Sequence, residues 1–295
     1  NIGDTYEAEN SLLLALQENP LTTAYLHGHN DTIRAVDFDS TGNIAVSSAL
    51  DNTIIRWDMT TNSMIGMPLT GHEFGVNDVE ISPDNRLIAS ASADRTVRLW
   101  DLDTGEALMT LEGHSNDVWA VAFSADSTLL ASAGEDSRII IWDTETGEII
   151  RQIDNAHEGI IYTLDFSFDN ARLVSGGDDN LVRLWQVASG EEIATIEGHT
   201  NWVLVVKFDP TGNAIISSGL DSTLRFWDAF TGEQIDDALN TEHIGGVYDI
   251  DFSFDGQFLA TAGSDGRIII WGLAERGNRL ATLNTHNNRI WGIAF

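Results

Sequence analysis

The sequence has no cysteine and a single lysine, Lys207, beside fourteen arginines. Without cysteine it can make neither disulfides nor thiolate chemistry, though that does not fix a compartment. Against 46 acidic residues the basic ones are so scarce that the formal charge is −31. Phosphate binding rests on clustered cations, so the balance argues against nucleic acid, and equally against an anionic membrane surface. A basic partner, or a high-salt or strongly acidic proteome, suits this charge. No run approaches the ~18 apolar residues of a membrane span. The N-terminus shows no basic region followed by an apolar stretch and a small-residue cleavage site. A cytoplasmic protein is therefore expected. Because the chain begins at Asn1 and not at methionine, an upstream portion is expected as well.

What the chain does have is repetition. In the stretch His114–Trp142, Ser132, Asp136 and Trp142 stand 18, 22 and 28 residues after His114. The same residue types recur at these offsets from His29 (Ser47, Asp51, Trp57), His72 (Ser90, Asp94, Trp100) and His157 (Ser175, Asp179, Trp185). They recur again from His199 (Ser217, Asp221, Trp227) and His243 (Thr261, Asp265, Trp271), and His286 opens a seventh start. Successive histidines are 42 to 44 residues apart, a period expected of propeller blades. With 42% hydrophobic residues there is ample core material for one cooperative repeat array.

Residues 1–20 fall outside the repeat. Asp4-Thr-Tyr-Glu7 resembles a capping box, EAENSLLLALQEN is rich in helix formers and Pro20 stops it. A short helix at about 5–18 is expected, within a helical linker of residues 1–20; a strand at Ser11–Gln17 is the competing reading. From His29 onward each repeat reads as four short strands with Gly, Asp, Asn and Ser at the turns, an all-β pattern. Val118, Val121 and Phe123 are spaced three and then two apart. That odd step predicts a β-bulge, with one residue turned out of the ladder. A four-stranded unit cannot bury both faces alone, whereas radial stacking covers them.

The Gly-His…Ser/Thr…Asp…Trp-Asp pattern resembles the WD-repeat family of β-propellers over residues 21–295. The resemblance implies a hydrogen-bonded His, Ser/Thr, Asp and Trp network inside each blade. The departures are Ala156, Glu242 and Thr285 before the histidines, and Gln186 and Gly272 after the tryptophans. They leave the network intact. The C-terminal NNRIWGIAF is expected to supply the first strand of a seventh blade and Leu21–Leu26 its outermost strand, the middle two being absent. The expected architecture is thus an all-β, seven-bladed propeller, with six complete repeats and a partial blade shared by the chain ends. The chain is read as a fragment cut within that blade; closure through residues 1–17 is the alternative. The stretch SLLLALQENPLTTAYLHGHND also resembles the junction where a STAND-type NTPase leads into WD repeats in large bacterial signalling proteins.

Seven of the eight histidines are repeat starts, so an apparent Ser-His-Asp triad recurs six times at positions whose structural reading is the stronger. Asp101–Glu106 lacks the ligand spacing of a calcium loop. With no glycine-rich phosphate motif and no free His cluster, no cofactor or metal is expected. The signal above this background is aromatic: beyond the repeat tryptophans stand Trp119, Trp202 and Trp291. In the resembled family, the third and fifth residues after the His and the residue before the Asp line a channel rim that binds peptides. Here these positions include Arg34, Leu50, Asp117, Trp119, Glu135, Ile160 and Tyr162. They also include Asp178, Trp202, Leu204, Leu220, Tyr248, Arg289 and Trp291. Aromatic rings bury large areas at low entropic cost, which suits recognition; packing against the bulge is the bland alternative. The expected protein is a non-catalytic platform, a regulatory propeller of a larger chain. Its expected partner is a protein or peptide segment with basic residues, or another domain of the same chain. A glycan or small-molecule binder and a purely structural scaffold, half of a double propeller, are the rivals.

Overall fold

The computed structural model describes residues 24–273, 277–284, 286 and 288–295. Each complete repeat forms one four-stranded antiparallel sheet, and there are six such sheets. In the first, the strands Ile33–Phe38, Ile44–Ala49, Ile54–Asp58 and Ser63–Met64 follow one another in chain order. The first strands of the other sheets are Val76–Ile81, Val118–Phe123, Ile161–Phe166, Val203–Phe208 and Val247–Phe252. From the first sheet to the sixth, each packs beside the first strand of the next, so these are the inner strands of blades arranged around a channel.

Neighbouring blades cover both faces of each sheet, and the second strands are made of residues that tolerate this. Ile88–Ser92 and Leu130–Gly134 are buried throughout, each a single large aliphatic followed by small Ala, Ser and Gly. The seams are apolar. Val46 and Ile54 of the first blade pack with Val79, Ile88 and Trp100 of the second. Between second and third strands the chain reverses tightly. The residue after the repeat Asp takes a left-handed conformation each time, at Asn52, Arg95, Ser137, Asn180, Ser222 and Gly266.

The ring has six blades, which corrects the expectation of seven. Among the described residues, Ile290–Phe295 joins no sheet. It lies instead in the seam between the sixth and first blades. The Ile293 and Phe295 amides donate to the Asp249 and Asp251 carboxylates at 2.9 and 2.8 Å. Ile290 and Ile293 pack with Ala260, Ala262 and Ile268 of the sixth blade, and Gly292 abuts the Ala35 backbone. Ala24–Leu26 is no strand either; Leu26 is buried on the first blade with Ala45, Ile55 and Trp57. No helix occurs among the described residues. The helix expected at about 5–18 lies outside them.

Candidate functional site

Each blade is pinned from within. In the third, His114 Nδ1 meets Asp136 at 3.0 Å and Nε2 meets Ser132 Oγ at 2.8 Å, while Trp142 Nε1 donates to the same Oγ at 2.8 Å. The set is self-consistent if Nδ1 carries the proton: the ring donates to the carboxylate and accepts from the serine, which accepts from the indole. The arrangement recurs around His29, His72, His157, His199 and His243, with Thr261 in the serine's place in the sixth blade. Burial alone would raise the Asp51 carboxyl. Hydrogen bonds from His29, the Asn30 amide and Thr53 outweigh it and hold it down at about 2. Ser47, Ser90, Ser132, Ser175 and Ser217 have no exposed surface, and each hydroxyl is occupied on both sides. A triad's outline is present without an accessible nucleophile.

The predicted bulge occurs in every inner strand. Pairing with the second strand skips one residue in each blade: Arg34, Asn77, Trp119, Tyr162, Leu204 and Tyr248. All six line one cavity of about 370 Å³ in the channel. The bulge is thus the device that converts a blade's inner edge into a side chain aimed at the channel mouth. Trp202, Leu220, Arg289 and Trp291 line the same cavity. Leu50, Asp117, Glu135, Ile160 and Asp178 do not. They sit on adjoining loops, brought together blade by blade: the Glu135 amide donates to the Asp117 carbonyl and the Asp178 amide to the Ile160 carbonyl.

Across the mouth the rings form two groups. Trp119 meets Tyr162 edge-on at 5.5 Å and Tyr162 stacks on Trp202 at 5.7 Å. Tyr248 meets Trp291 at 5.0 Å. Arg34 joins them, its guanidinium carbon 4.2 Å from the Trp291 ring centre and 5.3 Å from that of Trp119. Charge is divided likewise. Burial, then the Asp178 and Glu135 charges, push the Tyr162 hydroxyl up to about 12, which marks an acidic sector beside Tyr162. The arginines stand beside Tyr248 and Trp291. Trp202 remains 42% exposed, a ring face open to solvent. Trp119 Nε1 is buried without a hydrogen-bond partner among the described residues.

Sequence reasoning missed what lies below the rim. Asp37, Asp78, Glu80, Asp165, Asp249 and Asp251 line the channel with Lys207. An inner strand is an edge, and its channel-side N–H groups would be orphaned. The acids supply acceptors from the preceding blade: Asp37 takes the Ile81 amide at 2.7 Å, Asp78 that of Val121 at 3.0 Å, and Asp165 that of Phe208 at 2.6 Å. Between the fifth and sixth blades Lys207 Nζ meets Asp251 at 2.9 Å. The third blade has Ala120 and Ala122 at these places, and its seam to the fourth is a large apolar cluster with Ile161, Leu164 and Phe166. Burial, with some like-charge crowding, raises Asp37 and Asp165 to about 6 and Asp78 and Asp249 to about 7. A signal did exist: Asp37, Glu80, Asp165, Lys207 and Asp251 each stand eight residues after a repeat His. It shows only when the repeats are read as a column.

Six radial sheets, each clasped by a His-Ser/Thr-Asp-Trp network, define a β-propeller of the repeat-network type. The family model "WD domain, G-beta repeat" matches residues 19–58, 64–101, 105–143, 147–186, 190–228 and 238–272. The chain belongs to the WD40 family, and the number of matches agrees with six blades. It is also similar to Nuclear distribution protein nudF 2 of Penicillium rubens, 43% identical over 99 residues, covering 33% of this chain and 21% of that protein. The chain thus spans about a fifth of the length of this curated relative.

Proposed function

We propose that this propeller is a non-catalytic recognition platform whose channel mouth binds an extended segment of another protein. WD40 propellers mediate protein–protein interaction, and the relative it resembles is compatible with that role. One observation carries the choice of surface. All three tryptophans outside the repeat network, with Tyr162 and Tyr248, converge on a single cavity at the channel mouth. The acidic sector around Asp117, Glu135 and Asp178, beside Tyr162 and the open face of Trp202, suits a ligand's basic side chain through carboxylate pairing and cation–π contact.

A peptide array probed with the wild-type chain and the Trp119→Ala/Tyr162→Ala variant tests this. Bound peptides should be lost in the variant, while its circular dichroism spectrum remains that of the wild type. Equal binding by both would overturn the assignment. The resemblance of the stretch before His29 to a STAND junction supports a further role as the regulatory propeller of a bacterial signalling protein. An upstream sequence without an NTPase module would remove that role.

A further inference from the structure

Fourteen arginines serve a chain with 46 acidic residues, and those the structure describes differ in what holds them. Arg138 pairs with Asp154, Arg183 with Glu192 and Asp179, and Arg267 with Asp265. Arg172 pairs with Asp169 and also donates to a carbonyl of a neighbouring blade, and Arg56 donates to such carbonyls alone. Two arginines at the channel mouth do neither. Arg34 makes no hydrogen bond or ion pair among the described residues, and its Nε is buried without a partner. Among the described residues Arg289 reaches only the Ser264 hydroxyl, at 3.3 Å. Both stack on Trp291, with guanidinium carbons 4.2 and 4.7 Å from its ring centre. Burial and then the nearby Arg289 disfavour the charge on Arg34, with Asp31 opposing them in part.

Stacking uses the faces of a guanidinium and leaves its in-plane N–H edges open, the edges that hold an oxyanion bidentately. Two neighbouring like charges, one of them partly buried and neither in an ion pair among the described residues, are costly in the free protein. An arriving anion relieves that cost. The channel carboxylates do not perform this office, because their oxygens take the amides of adjoining blades. Nor is the slot between Trp119 and Trp291 open to a ligand's cation, since Arg34 fills it.

We infer that Arg34 and Arg289 form an oxyanion-binding subsite at the channel mouth, taking an acidic group of the bound segment. This rests on the mouth being the recognition surface and deepens that reading. The ligand is then dipolar, its basic residue at the Asp117–Asp178 side and its anion at Trp291, which fixes its direction across the channel.

The test uses decapeptides selected on the array and resynthesised in five forms. These are the parent, every Glu and Asp changed to Gln and Asn, a phosphoserine replacing the acid, and the C-terminus free or amidated. Affinities are read by fluorescence anisotropy on wild type, Arg289→Gln and Arg34→Lys. Arg289 is exposed, so its change should spare the fold, and thermal melting checks this. Removing the anion should weaken wild-type binding about tenfold, the scale of one charged hydrogen bond. Arg289→Gln should bind both forms alike. Arg34→Lys, which keeps charge but loses the fork, should fall between them. The terminal and phosphoserine arms tell a side-chain carboxylate from a terminal carboxylate or a phosphate. Peptides that need Trp119 and Tyr162 yet ignore both the anion and Arg289 would overturn the subsite and leave the recognition surface standing. No peptide binding at all would overturn the recognition surface, and the subsite with it.

Discussion

Ser132 shows how a single hydroxyl organises a blade. It accepts from Trp142 and donates to His114 in a place with no exposed surface. Ser132→Ala leaves both partners unsatisfied, and a buried orphan costs about 1–3 kcal/mol. Urea unfolding should therefore show a loss of about 2 kcal/mol or more, while Ser132→Thr should lose much less, since Thr261 fills this place in the sixth blade. An unchanged midpoint for the alanine variant would mean that the network does not hold the blade. At this scale the sequence was fully legible: every expected network residue meets its partners. The rim was legible in part. Arg34, Trp119, Tyr162, Trp202, Leu204, Leu220, Tyr248, Arg289 and Trp291 share the cavity, whereas Asp117, Glu135 and Asp178 only flank it. Sequence offsets give a residue's place on the blade, but not how far its side chain reaches.

At the scale of the strand, the bulge joins fold to site. The stepped spacing of Val118, Val121 and Phe123 announced it, and the skipped residue is Trp119. Close backbone approach holds the bulge in place. A Cβ on Gly219 would collide with the Trp202 carbonyl, and one on Gly134 with that of Asp117. Ala49 and Ser92 fill the same place in the first two blades, so a blade can be built wider there. Gly219→Ala should thus be tolerated at a cost of about 1–3 kcal/mol, the range for overpacking, while displacing Trp202. Melting temperature and Trp202 fluorescence would both shift. A change in stability without a change in the emission of Trp202 would separate the glycine from the rim.

For the molecule as a whole, the channel sets the dependence on pH. Asp37, Asp78, Asp165 and Asp249 are held at about 6 to 7 against an ordinary 3.8, chiefly by burial. An acid raised on folding stabilises while protonated, and that contribution is lost as pH rises from the ordinary value through the raised one. The network aspartates act in the opposite sense. Asp51, held at about 2 by hydrogen bonds that outweigh burial, contributes above the ordinary value and loses its contribution as pH falls toward the depressed one. Stability should therefore peak at about pH 4, where the network aspartates are ionised and the channel acids are still protonated, and decline toward about pH 7. Calorimetry would show it, and Asp78→Asn with Asp249→Asn should flatten the alkaline side. A melting temperature level from about pH 4 to 7 would mean that the channel acids titrate normally.

The sequence by itself determined the blade: its four strands, its turns, its bulge and its internal network. All of these join residues within one short repeat, so local periodicity carries them. The tertiary structure alone decided the number of blades, because closure depends on where Ile290–Phe295 finds acceptors, and it finds them on Asp249 and Asp251. It also decided the two features no single repeat contains. The channel acids matter as acceptors for the next blade's amides, and Arg34 meets Trp291 only because the ring brings the first blade to the end of the chain. Contacts between blades cannot be read within one repeat, since each partner belongs to a different one; even the shared eight-residue offset of the channel acids does not say which amide they take.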